Sequence, residues 1–151
     1  MTYTDNLRNA LKKREIKLKY EFDDCSENNY DLFIKKFGIV LPEIIKQFYN
    51  QFEYLKIKEP RHFEMLSFKN MIIYDDRYLL FSIIDNDEKI CFDFSNINEA
   101  GQWDIINYCN KYLITKTISS YLVNKIWAWV DKERTIWKEE TYAASPDEPR
   151  L

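Results

Sequence analysis

The sequence predicts an α+β fold: one domain with a mostly antiparallel sheet flanked by helices. Three observations lead there. Residues before about 52 carry apolar side chains at helical spacing. Residues 62–108 break into short aromatic and β-branched runs separated by turn clusters. From Ile118 a broad apolar stripe returns at helical spacing. Helices, then consecutive strands, then a helix is the order of an α+β domain with an antiparallel sheet.

The elements follow in order. Thr4 is placed to cap a first helix running to about Arg14, with Leu7, Ala10 and Leu11 on one face. In "EIKLKYEF", Ile16, Leu18, Tyr20 and Phe22 alternate with charged residues. Period two predicts a strand over Ile16–Phe22, although Leu11 and Leu18 also fit a continued helix. Ser26 reads as the cap of a second helix, with Tyr30, Phe33, Ile34 and Phe37 as its stripe and Gly38 as its terminator. Pro42 suits the first position of a third helix, where its missing N–H costs nothing. Ile44, Ile45, Phe48, Tyr49 and Phe52 would form the buried side.

In the middle, "HFEMLSF", "RYLLFSIID", "KICFDFS" and "WDIINY" have strand composition, with "YDDR", "DNDE" and "NINEAGQ" between them. The short "DNDE" predicts an antiparallel hairpin of Leu79–Asp85 with Lys89–Ser95. Phe92 and Phe94 would share one face of its second strand, and Cys91 and Asp93 the other. Gly101 supplies a turn in the following loop, and Trp103 anchors the next strand. A closing helix is expected over Ile118–Trp137. Ile118, Leu122, Ile126 and Trp129 form its row, widened by Val123, Trp127 and Val130. Residues 1–140 are read as the domain and 141–151 as a flexible tail. No internal repeat or linker is visible.

Composition narrows the function. Apolar residues make up 46% and aromatic residues 17% of the 151, ample for a core. The net charge of −3 disfavours a nucleic-acid binder, which carries a basic footprint. No apolar run is long enough for a membrane span or a signal peptide, so a cytoplasmic protein is expected. Two glycines exclude a dinucleotide fingerprint and a P-loop. Cys25, Cys91 and Cys109, widely spaced, read as reduced thiols, and those at 91 and 109 as buried and inert.

No catalytic, metal or cofactor set emerges. "DNDEKICFDFSN" begins like a calcium loop at Asp85 and Asp87. It then places Lys89 at a ligand position, Ile90 where glycine is needed and Asn96 where a bidentate Glu belongs. His62 is the sole histidine, so a multi-histidine zinc site is impossible, and "HFE" lacks the cysteine pair of a zinc deaminase. A Ser or Cys nucleophile would have only His62 as its usual base. The carboxylates Asp75, Asp76, Asp85, Asp87 and Glu99 fall in turns, which favour Asp for backbone reasons. If these turns converge, they form an acidic patch suited to a basic protein partner.

Three segments carry a resemblance. "FIKKFGIVLPEIIKQFYNQF" is a helix, a small apolar loop and a Leu-Pro opening an aromatic helix. "LLFSIIDNDEKICFDFSN" is a strand pair ending in an Asp-containing run. "WDIINYCNKYLITKTISSYLVNKIW" is a pair of last strands before a closing helix. In these the chain resembles the SUKH superfamily, the Smi/Knr-type regulators and their bacterial relatives, over roughly residues 30–137. The resemblance implies a largely antiparallel α+β fold and a non-enzymatic binding protein without cofactor. It implies an immunity protein that occludes a cognate polymorphic toxin, often a nuclease, encoded nearby. A scaffold or regulatory adaptor of the same fold is the alternative. The partner would then be a protein, with neither nucleic acid nor membrane engaged.

Overall fold

A computed structural model describes residues 2–24 and 30–139. The first helix, α1 (Tyr3–Lys13), starts two residues before the expected cap. Thr2 caps it, its Oγ1 accepting the Asp5 N–H at 3.1 Å while Asp5 Oδ2 accepts the Thr2 N–H at 3.1 Å. This reciprocal pair needs an acidic or amide side chain three residues on. Thr4 has Leu7 there, and both are buried inside the helix. The chain turns at residues 14–17, with the Lys17 and Leu18 N–H groups both donating to Arg14 O. It enters β1 (Lys19–Asp23) later than the alternation suggested, leaving Ile16 outside the strand. The continued-helix alternative is thereby excluded.

The expected Ser26 cap lies outside the described residues. Helix α2 (Tyr30–Phe37) ends at Gly38, whose φ of +69° suits glycine and whose N–H donates to Ile34 O at 2.8 Å. In α3 (Glu43–Tyr49), Pro42 is the cap itself, one position earlier than expected. Ile45, Phe48, Tyr49 and, past the helix, Phe52 are buried, while Ile44 is only partly covered. Phe48 stacks on Phe52 at 4.6 Å, and Phe33 and Tyr49 both meet Phe68 at 4.7 and 5.0 Å.

Eight strands make one sheet, every pair antiparallel. After β1 come β2 (Tyr54–Glu59), β3 (Phe63–Met65), β4 (Ile72–Tyr74), β5 (Tyr78–Ile84), β6 (Glu88–Asp93), β7 (Asp104–Asn107) and β8 (Leu113–Thr115). The spatial order is β1-β2-β3-β5-β6-β7-β8. Strand β4 lies beside the first half of β5, and β3 beside the second half. The expected hairpin forms, slightly shifted, with Leu79 opposite Phe92 and Ile83 opposite Lys89. Asp85 and Asn86 turn it at φ +55° and +72°, a region that Asp and Asn tolerate better than most residues.

One sheet face is covered by a closing helical segment. It runs through α4 (Ile118–Ser120), a π-helical turn (Tyr121–Lys125) and α5 (Ile126–Lys132). Ile118, Leu122, Ile126 and Trp129 are buried, as are Trp127 and Val130. Two expectations are corrected. The segment stops at Lys132 instead of Trp137, because Glu133 adopts a left-handed conformation at φ +58°. Val123 is 53% exposed, on the outer side of the π turn whose Tyr121 and Leu122 are buried. Helix α1 packs along this segment. Arg14 forks Asp131, with Nη2 2.9 Å from Oδ2, and its guanidinium lies 3.9 Å from the Trp127 ring centroid.

Trp129 is 6% exposed and donates its indole N–H to His62 O at 2.9 Å. Trp129→Ala should cost about 3–5 kcal/mol. That should lower the thermal midpoint by roughly 6–20 °C at this chain length, as read by circular dichroism melting.

Candidate functional site on the face away from the helices

Residues paired across antiparallel strands share a face. The register puts Leu79, Phe92 and Ile105 on the helix-covered face. Tyr74, Tyr78, Asp93 and Asp104, with Ile72, Leu80, Cys91 and Ile106, lie on the other. Tyr108, just beyond β7, folds its ring back over that second face. It stacks on Tyr74 at 4.5 Å and meets Tyr78 edge-on at 5.7 Å. Its hydroxyl donates to Asp75 Oδ2 at 2.8 Å, which raises the phenol's pKa. Lys111 completes the cluster, its ammonium 3.9 Å from the Tyr108 centroid and 4.9 Å from that of Tyr78. Arg77 grips Asp93 through two nitrogens, at 3.1 and 2.9 Å, and lies 5.2 Å from the Tyr78 ring. The result is three mutually braced tyrosines with two cations on their rings and carboxylates at their edge. Beside it Ile72 is 49% and Leu113 41% exposed.

The predicted acidic residues fall into two groups. Strands β5 and β6 run in opposite directions, so the Asp75–Asp76 turn and the loop after Asp93 lie at one end of the sheet. The Phe94 N–H donating to Arg77 O at 2.9 Å joins them. Asp85 and Asp87 cap the opposite end, because consecutive turns of a meander alternate ends. The five acids therefore do not form one patch. Glu99 is engaged by Lys116, whose ammonium holds that carboxylate below its ordinary pKa. Asp76, Asp85 and Asp87 are exposed.

The loop of residues 94–103 is structural. Asn98 Oδ1 accepts the Ala100 and Gln102 N–H groups, and its amide donates to Asp104 Oδ1 and Lys116 O, both at 2.9 Å. Gly101 takes φ +75°. Buried Gln102 accepts the Ile118 N–H at 2.9 Å and so ties the loop to the start of the closing segment. Trp103 packs on Phe92 and Phe94 at 6.0 and 5.9 Å.

His62 also acts in the framework. Its Nδ1 accepts the Asn86 N–H at 3.1 Å, and its carbonyl accepts from Asp85 and Trp129. Among the described residues, no group of three or more His, Cys, Asp or Glu side chains is placed to hold a metal ion. No helix among them is long and apolar enough to cross a membrane. Cys91 is buried, and burial pushes its thiol up to about 12. Cys109, expected to be buried, is exposed because it sits in the turn between β7 and β8.

Tyr74, Tyr78, Arg77 and the 108–111 turn were not singled out from the sequence. "YDDRY" does carry a usable signal, since tyrosines flanking a tight turn pair across the strands. Tyr108 carries none, because its contact depends on how β7 lies against β6. Comparison with family models, curated proteins and solved structures returned no match.

Two outcomes follow. In a Cys25→Ser background, iodoacetamide should modify Cys109 in the native protein and Cys91 only after denaturation, as read by mass spectrometry. For Asp93, burial pushes the pKa up, but hydrogen bonds from Arg77 and Ser95 win and hold it below 3.8. A depressed carboxylate stabilises the fold above its unfolded value, and that contribution fades as pH falls through the folded value. Denaturation midpoints should therefore drop below about pH 4, and Asp93→Asn should flatten that drop while lowering the midpoint at neutral pH.

Proposed function

We propose that the chain is a non-enzymatic binding protein of the cytoplasm, an immunity protein that neutralises a cognate toxin by covering its active site. The observation that carries the reading is the Tyr74–Tyr78–Tyr108 array with Arg77, Lys111 and the Asp75–Asp76 turn. Tyrosine and arginine dominate the energetics of protein interfaces. Here the rings already hold one another, so little side-chain freedom is lost on binding. The face lies away from the closing segment, so covering it requires no unfolding of the core. The acidic turn at its edge suits a basic concave site such as that of a nuclease toxin. There the charge would raise the association rate and align the partner. The resemblance of the chain to toxin-neutralising SUKH proteins supports the same reading.

The test is binding to, and protection from, the product of the adjacent toxin-like reading frame. Tyr108→Ala and Tyr74→Ala should each weaken binding about tenfold or more while leaving the far-ultraviolet spectrum unchanged. Asp76→Lys should slow association and flatten its dependence on salt. Asp87→Lys, at the other end of the sheet, should change neither. Full protection by a folded Tyr74→Ala/Tyr108→Ala protein would remove this face from the interface. Binding without protection would favour the scaffold reading.

A further inference from the structure

The opposite end of the sheet, where β1 begins and β2 ends, carries a second and differently charged surface. A cleft of about 560 Å³ opens between the C-terminus of α1, the 14–17 turn, the Pro60–Arg61 segment and the end of α5. Its charged lining is Lys13, Arg14, Lys17, Arg61 and Lys132 against the single carboxylate of Asp131. In a chain of net charge −3 this is a local inversion of sign.

Two of these cations are fixed in place. Arg14 is held by Asp131 and Trp127. Arg61 donates to Val130 O at 2.6 Å and reaches Glu133 at 3.4 Å. Lys13, Lys17 and Lys132 are exposed and enter no ion pair among the described residues. The accessible apolar surface is Pro60, with Leu18 and Val130 buried behind it. Ile16 stands fully exposed at 102% on its rim, on the turn closed by the Lys17 and Leu18 bonds to Arg14 O.

We infer that this cleft binds an acidic, extended segment of a protein partner, with one aliphatic side chain of that segment seated against Ile16 and Pro60. The three exposed lysines supply the charge complementarity, while Arg14 and Arg61, paired with Asp131 and Glu133, hold the walls of the cleft together. Nucleic acid fits less well. No aromatic ring lines the cleft to stack a base, and a long polyanion feels the overall negative charge as well as the local field. A short acidic segment senses mainly charges within a Debye length of about 8–10 Å. A bilayer fits less well too, because Ile16 is the one large apolar side chain projecting from this cleft, whereas a membrane-binding face needs a broad apolar one. Glu15 and Glu133 flank the site and the Asp85–Asp87 turn lies beyond His62, so the recognised segment must be short. The cleft is separate from the tyrosine face, and this inference does not rest on the proposed toxin-binding role.

The test uses the full chain and a short fluorescein-labelled peptide of Glu and Asp with one central Leu, read by anisotropy. Saturable binding that weakens with salt is expected. Lys13→Glu/Lys17→Glu/Lys132→Glu should reduce it at least about tenfold, and Ile16→Ser several-fold. A peptide with Ser in place of Leu should bind more weakly, and Tyr108→Ala should bind like the unmodified chain. The milder Lys→Gln triple variant, with a matching circular dichroism spectrum, guards against a folding defect. Absence of saturable binding, or unchanged binding by the folded Lys→Gln and Lys→Glu variants, would overturn the inference. So would tighter binding of oligo-dT, or of phosphatidylserine-containing vesicles, with the same lysine dependence.

Discussion

The structure depends on one buried contact. Tyr121 lies between the sheet and the closing segment, its ring 5.4 Å from Phe81 and 5.9 Å from Phe63. Its hydroxyl is 2.7 Å from Ser82 Oγ, which in turn donates to Glu64 O at 2.7 Å. A buried phenol without a partner would cost about 1–3 kcal/mol, so the serine in the middle of an otherwise apolar β5 is what makes the tyrosine tolerable. Burial keeps that phenol protonated, its pKa pushed far above the ordinary value. Tyr49 packs nearby with its hydroxyl buried and unpartnered among the described residues, a cost borne by the surrounding aromatic packing.

The π-helical turn is the backbone side of the same contact. The π turn carries Tyr121 and Leu122 into the core, and α5 continues the buried side with Ile126, Trp127, Trp129 and Val130. Trp129 then reaches His62 O, and Arg61 reaches Val130 O, so the end of the segment is tied to the β2–β3 connection. At its beginning, Gln102 does the same for the β6–β7 loop.

The closing segment takes one face of the sheet and leaves the other face uncovered by it. The uncovered face collects tyrosines, while the end near Pro60 collects lysines and arginines. In the toxin-binding reading the first surface meets the toxin. In the proposed acidic-segment reading the second surface is separate from the first, so the two partners would not compete.

Much of the architecture was legible in the chain. Alternation and turn chemistry mark β5 and β6, Gly38 marks the end of α2, and the four-residue apolar row marks the closing segment. The alternation in "YLKIKE" also marks β2, with Leu55 and Ile57 inward and its lysines outward. Strands β4 and β8 have three residues each, too short for any period to declare itself. Glu133 ended the helix without the glycine or proline that normally signals it. The acidic set shows the deeper division. The sequence by itself determined that Asp75, Asp76, Asp85, Asp87 and Glu99 would sit in turns, because that follows from local backbone chemistry. Only the tertiary structure decided which turns share an end, because strand order is set by long-range pairing. The same pairing brought Tyr108 onto Tyr74, 34 positions away by residue number, and helix packing brought Lys13 and Lys132 to one cleft, placements that no local pattern encodes.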